Sequence, residues 1–209
     1  LDLNFPEKPV ILTRIDGHAM LVNQKTLDLC KININSKIKG GHIEIIDGKL
    51  TGMLIDNAMD LVLKNIPKPN NETKKKALLK AQKKCFELGL TTVDDAGLSK
   101  NDVLLINQLH QSGELKIKIY AMLSDIKENY DYFIDTLQKP LKTDRLNVRS
   151  FKFYSDGSLG SRGACLLNPY VDVNDSAHYG MMLNTEKHFR ESAKKLFLHG
   201  YQMCTHSIG

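Results

Sequence analysis

The chain has 209 residues, 42% of them hydrophobic and 25% charged with both signs mixed, and a formal net charge of +5. That suffices for one core-bearing domain of ordinary globular composition. No run of about 18 apolar residues marks a membrane span, and four scattered cysteines without a CxxC pair argue against a disulfide scaffold and a zinc ribbon.

The first seventy residues read differently from the rest. Val10-Ile11-Leu12 is a short apolar run broken by Asp16-Gly17, and Ala19 to Leu29 is expected to be helical. His42 to Ile46 and Lys49 to Leu54 flank Asp47-Gly48, a dipeptide suited to a tight hairpin turn because glycine accepts positive φ. Asp56 is placed to cap a helix running to about Asn65, and the segment Pro67 to Asn71 breaks the chain.

Beyond the break the pattern becomes regular. Leu78, Ala81, Cys85 and Leu88 follow helical spacing and Gly89 suits a C-cap. Leu90 to Val93 reads as a strand, and Ser99 with Asp102 as a capping box opening a helix to about Gly113. Lys116 to Leu123 is a strand, and Ser124 is expected to cap a helix to about Gln138. Asn147 to Tyr154 is a strand, Thr185 opens a helix closing at Gly200, and Tyr201 to His206 is the last strand. Alternating helices and strands imply parallel strands with right-handed crossovers, which a doubly wound sheet and a barrel both satisfy. No GxGxxG follows the first strand, which weakens a nucleotide-binding reading.

The chemistry-bearing residues sit at strand ends. On Asn147 to Tyr154, alternation puts Ser150, Lys152 and Tyr154 on one face and Arg149, Phe151 and Phe153 on the other. With the phenylalanines under helices, Lys152 points to the opposite side, where a lysine must be neutral, paired or modified. A carboxylated metal ligand, a Schiff-base nucleophile and a snorkelling lysine all fit. The loop Ser155-Asp156-Gly157-Ser158-Leu159-Gly160-Ser161-Arg162-Gly163-Ala164 follows, and its Asp156 and Arg162 are candidates to bind a polar substrate or to pair with each other. His206 ends the last strand, and Asp16-Gly17-His18 is either a turn or a substrate-contacting loop. The excess charge falls largely on Lys74-Lys75-Lys76 and Lys83-Lys84, with no interleaved aromatic residues; a solvated helix face is the expectation, not a nucleic-acid platform.

Together, Arg14 to Ala19, Gly52 to Met59, Gly89 to Gly97, Lys152 to Ala164 and His206 to Gly209 resemble the YtcJ-like branch of the amidohydrolase superfamily, also called amidohydrolase family 3. The resemblance spans nearly the whole chain in order. It implies an α/β fold of the (β/α)8 TIM-barrel type, of which this chain is an interior piece. Residues 90–95, 116–123, 147–154 and 201–206 would be barrel strands two to five, forming a partial barrel over 71–209. Residues 1–70 would be an insertion between strands one and two. The implied activity is metal-dependent hydrolysis of amide-like, non-peptide C–N bonds in a small molecule. The cofactor would be one or two divalent ions, zinc foremost, held by Lys152 (carboxylated) and His206, with His18, Asp156 and Arg162 as substrate contacts. The family's strand-one His-x-His does not occur here, and its strand-eight catalytic aspartate would lie past Gly209, so this chain alone is expected to be inactive. The catalytic residue is therefore not assigned. A non-catalytic binding module and a Lys152 Schiff-base lyase are the alternatives. No nucleic-acid or membrane partner is expected, a homo-oligomer is allowed for, and a cytoplasmic location is slightly favoured.

Overall fold

A computed structural model describes residues 1–173 and 177–209. They are α/β and divide into two compact units, one of residues 1–67, 154–185 and 206–209, the other of residues 68–153 and 186–205.

The first unit is built on a four-stranded antiparallel sheet in the order β1-β2-β4-β3, from β1 (Ile11–Thr13), β2 (Ala19–Val22), β3 (Gly41–Ile46) and β4 (Lys49–Asp56). The β3–β4 hairpin turns at Asp47 and Gly48, both at positive φ (51° and 72°), as the sequence predicts. The helix expected over Ala19 to Leu29 is instead strand β2 followed by the short helix α1 (Gln24–Leu29). A run such as Ala-Met-Leu-Val fits either element by periodicity. Asn23 ends the strand and caps the helix, its side chain accepting from the Thr26 amide. Met20, Val22, Leu27, Leu54, Met59 and Val62 form this unit's core. Asp56 is not a helix cap: its side chain makes no capping bond, and only a 3₁₀ turn (Asn57–Met59) and the short α2 (Asp60–Leu63) follow.

The second unit carries α3 (Asn71–Glu87), β5 (Thr92–Leu98), α4 (Lys100–Gln111), β6 (Lys118–Ser124), α5 (Lys127–Asn129), β7 (Leu141–Lys142), β8 (Leu146–Tyr154), α6 (Glu186–Leu198) and β9 (Gln202–His206). Strands β5, β6 and β8 pair in parallel, β7 adds an antiparallel hairpin edge, and β9 also pairs with β8. The core joins Val103, Ile106 and Leu109 of α4 to alternate residues of β6 and to Phe151 and Phe153 of β8. The capping box at α4 forms as expected, with Ser99 and Asp102 exchanging side-chain-to-backbone bonds. Ser124, by contrast, caps nothing. The helical segment starts after Ile126 without a side-chain cap and winds on as a π-helical stretch (Tyr130–Thr136). Buried Asn129 donates to the carbonyls of Leu98 and Ser124, tying the ends of β5 and β6 together.

Two β-bulges decide which way the strands face. The register of β6 on β8 steps from Ala121↔Val148 to Met122↔Ser150, leaving Arg149 as the extra residue. Leu146, Val148, Phe151 and Phe153 therefore share the buried face, and Arg149, expected beside the phenylalanines, is exposed. Gly97 plays the same part in β5, where the register steps between Ala96 and Leu98. Lys152 lies opposite the phenylalanine face, in register with Ser124, as the alternation predicts.

Replacing Ser99 by Ala should cost about 1 kcal/mol in chemical denaturation. Ser124→Ala should stay within about 0.5 kcal/mol, since no cap is lost.

Candidate active-site cluster

The groups that the sequence singles out in the first unit gather around one buried carboxylate. Between β1 and β2 the chain turns through Arg14 to His18, with the Gly17 amide donating to the Arg14 carbonyl at 2.9 Å and Gly17 at φ 77°. Arg14 Nε donates to Asp16 Oδ1 at 2.7 Å, and Arg14 and Asp16 both bond the Ser158 hydroxyl, at 2.9 and 3.0 Å. The Arg14 guanidinium, foremost, holds the Asp16 carboxyl well below the usual carboxylate range. These bonds fasten the turn to the glycine-rich loop and set His18 at the start of β2.

His18 Nδ1 lies 2.6 Å from Asp56 Oδ1, a pair in which the Asp56 side chain has no exposed surface and that of His18 is 13% exposed. Asp56 ends β4 with φ 50° and ψ −126°, a conformation that L residues rarely adopt. Its second oxygen, Oδ2, is buried without a hydrogen-bond partner. Burial, the largest influence, pushes its pKa up against the opposing pull of His18. The glycine-rich loop closes over this carboxylate. A Cβ on Gly157 would meet Asp56 atoms first, and one on Gly163 would meet Asp56 Oδ2. Two glycines are therefore required where the loop crosses the acid, a reason distinct from turn geometry, since neither has positive φ.

His206 joins the cluster from the end of β9. Its ring stacks on His18 with centroids 5.0 Å apart, and the Tyr154 ring lies 5.5 Å from His206 and 6.2 Å from His18. The Ser155 amide and hydroxyl donate to the His206 carbonyl at 2.9 and 2.8 Å, fixing the strand end to the start of the loop.

Asp156 and Arg162 do not pair with each other. Asp156 is buried and accepts from the amides of Cys165, Ile208 and Gly209 at 2.7–3.0 Å. Burial alone would raise its pKa; these donors and the Ser155 hydroxyl outweigh it and hold the carboxyl low. Both oxygens are thus engaged by the chain itself, organising the loop. Arg162, at φ 57°, pairs with Asp172 at 2.8 Å and borders a cavity of about 350 Å³ against Leu21, Met53 and Ile55 of the antiparallel sheet.

In the second unit Lys152 is partly buried near the C-terminal end of β8. Among the described residues no group of three or more His, Cys, Asp or Glu is placed to hold a metal ion. The lysine run on α3 is a solvated, ion-paired face: Lys74 meets Asp102, Lys75 meets Glu114 and Lys76 meets Glu72. No helix among the described residues is long and apolar enough to cross a membrane.

The sequence reading missed Asp56 and Tyr154 as members of the cluster. It also missed a second histidine–carboxylate pair, His188 Nε2 to Asp125 Oδ2 at 2.6 Å, with the Tyr130 hydroxyl on the other Asp125 oxygen. A strand-terminal aspartate before a short helix carries the same local signal whether it caps or pairs, which is why Asp56 was read as a cap.

A sequence profile described as the amidohydrolase family matches residues 1–209. A Bacillus subtilis protein named amidohydrolase YtcJ is 30% identical over 216 residues, covering all of this chain and 40% of that protein. The Arabidopsis thaliana protein LONG AFTER FAR-RED 3 is 31% identical over 220 residues, covering 98% of this chain and 37% of its own length. The chain thus spans about two fifths of the length of these curated relatives. Two solved structures of uncharacterized metal-dependent hydrolases are similar over the whole chain. That from Pyrococcus horikoshii has TM-score 0.71 at 23% identity, with 41% of its chain covered. That from Pyrococcus furiosus has TM-score 0.69 at 26% identity, with 42% covered.

If the glycine at 157 exists to make room for Asp56, Gly157→Ala should destabilise the protein by about 1–3 kcal/mol through overpacking. In an Asp56→Gly background the same change should cost less than about 0.5 kcal/mol, read from a double-mutant cycle in urea.

Proposed function

Because the chain belongs to the amidohydrolase family, we propose that it is part of a (β/α)8 barrel that hydrolyses an amide-like, non-peptide C–N bond of a small molecule with divalent metal assistance. The observation that carries this reading is the placement of Lys152. It stands near the C-terminal end of a parallel strand, on the face turned away from the phenylalanine core, where barrel enzymes keep their chemistry. The order β5-α4-β6-α5-β7-β8-α6-β9 alternates strands and helices as a barrel segment does, apart from the short antiparallel β7.

On this reading Lys152, carboxylated, and His206 are ligands for one or two divalent ions, with zinc a metal that accepts both imidazole nitrogen and carboxylate-type oxygen. Carboxylation converts an ammonium that is costly to bury into an anion. When bound, the ion supplies a water of lowered pKa and polarises the scissile carbonyl. The remaining ligands and the catalytic acid would come from parts of the protein outside these 209 residues. Within them, His18 presents its ring to the substrate. Asp156 keeps the loop folded over the Asp56 carboxylate, and Arg162 borders the sheet-side cavity and can turn from Asp172 to a polar substrate group. The partner is a small molecule, and neither nucleic acid nor membrane is called for.

Metal content of the full-length protein, measured by mass spectrometry, should be about one or two divalent ions per chain, and Lys152→Ala and His206→Ala should each remove most of it. Hydrolysis of amide substrates should be lost on chelation and return with zinc. Undiminished metal in both variants, or full activity in a metal-free preparation, would rule the reading out. A borohydride-trapped carbonyl adduct on Lys152 would replace it with a Schiff-base lyase.

A further inference from the structure

We propose that Asp56 is a positioning residue that locks the His18 imidazole with Nδ1–H donated to its carboxylate, so that Nε2 is offered as an acceptor to an N–H or O–H of the substrate. The assignment of that substrate to the hydrolase site rests on the function proposed above; the locked histidine rests on the geometry alone.

Four observations converge on this carboxylate. It is fully buried, yet only one of its oxygens is hydrogen-bonded, and that bond goes to His18 at 2.6 Å. A buried acid with an unpartnered oxygen is costly, and an asparagine or leucine would fill the volume with less penalty. Asp56 also holds a backbone conformation at φ 50° that glycine would adopt without strain. Finally, the loop gives up side chains at both Gly157 and Gly163 to accommodate it. The buried position, the left-handed backbone and two glycines that make room all hold this carboxyl group against one ring nitrogen.

The ring is fixed on its other sides too, stacked on His206 and edge-on to Tyr154. A histidine clamped in this way has one tautomer. With Nδ1 as donor, the neutral ring's Nε2 carries a lone pair and can only accept. It therefore selects a substrate that offers a donor hydrogen there and disfavours an isostere lacking it, because the site's acceptor would be left unpaired. The predicted class is a substrate with an amide N–H or hydroxyl near its scissile bond; a tertiary amide or an O-methylated analogue should be disfavoured.

The test is a long-range proton–nitrogen spectrum of the full-length protein carrying nitrogen-15 histidine, with the His18 signal assigned from His18→Gln. The wild type should show His18 as the Nδ1–H tautomer with a slowly exchanging ring proton. Asp56→Asn, whose amide oxygen still accepts, should keep that signal, and Asp56→Ala should lose it, both with unchanged metal content. Once a substrate is in hand, kcat/KM should fall about tenfold or more in Asp56→Ala, with Asn recovering most of it. An Nε2–H tautomer in the wild type overturns the proposal without recourse to any variant, as does an unaltered signal in Asp56→Ala. Loss of metal binding as the basis of function would instead appear in the Lys152 variant, with the His18 signal intact, so the two readings fail separately.

Discussion

A carboxylate with no exposed surface constrains everything near it, because its charge must be met by a fixed partner or it raises its pKa and neutralises. Asp56 is such a group. Its partner is the His18 ring, so the β1–β2 turn has to deliver His18 to within hydrogen-bond reach of the end of β4, which the Arg14–Asp16–Ser158 bonds accomplish. Its cover is the loop from Asp156 to Ala164, which passes close only because two of its residues have no side chain. That loop is in turn held by Asp156, whose oxygens collect the amides of Cys165, Ile208 and Gly209. One buried carboxyl group thereby ties a hairpin turn to a glycine-rich loop, and Asp156 ties that loop to the residues after His206.

The second unit reaches a comparable precision by register. The extra residue Arg149 shifts the alternation of β8 so that Phe151 and Phe153 continue the apolar face begun by Leu146 and Val148, and Gly97 is the extra residue of β5. Without the bulge at Arg149 either the first or the second half of β8 would present its apolar residues to the wrong side. The bulge thus delivers Lys152 to the face away from the core while the rest of the strand stays packed.

Elements with strong local signals were legible before the structure: the Asp47-Gly48 turn, the Ser99–Asp102 capping box, the strands around Ile119 and Phe151, and the orientation of Lys152. Family membership was legible too, because motifs in the right order across the chain are far more specific than any one of them. What was not legible depends on long-range packing. The apolar run at Ala19 to Val22 becomes a strand only because β1 and β4 are there to pair with it. Ser124 has the residue type of a cap but not the backbone that follows one, and the helix begins after Ile126 instead. Asp56 resembles a cap because nothing within ten residues reveals that a histidine 38 positions away bonds to it. The glycines of the loop carry no local sign of the acid beneath them, which only the folded chain brings there.

The most direct measurement is an anomalous-difference map, collected at the zinc absorption edge, from crystals of the full-length protein grown with zinc. The account predicts ion density at about 2.0–2.2 Å from a His206 ring nitrogen and from a carboxylated Lys152, with His18 still seated on Asp56. Density at neither residue, with Lys152 unmodified and turned to solvent, would contradict it.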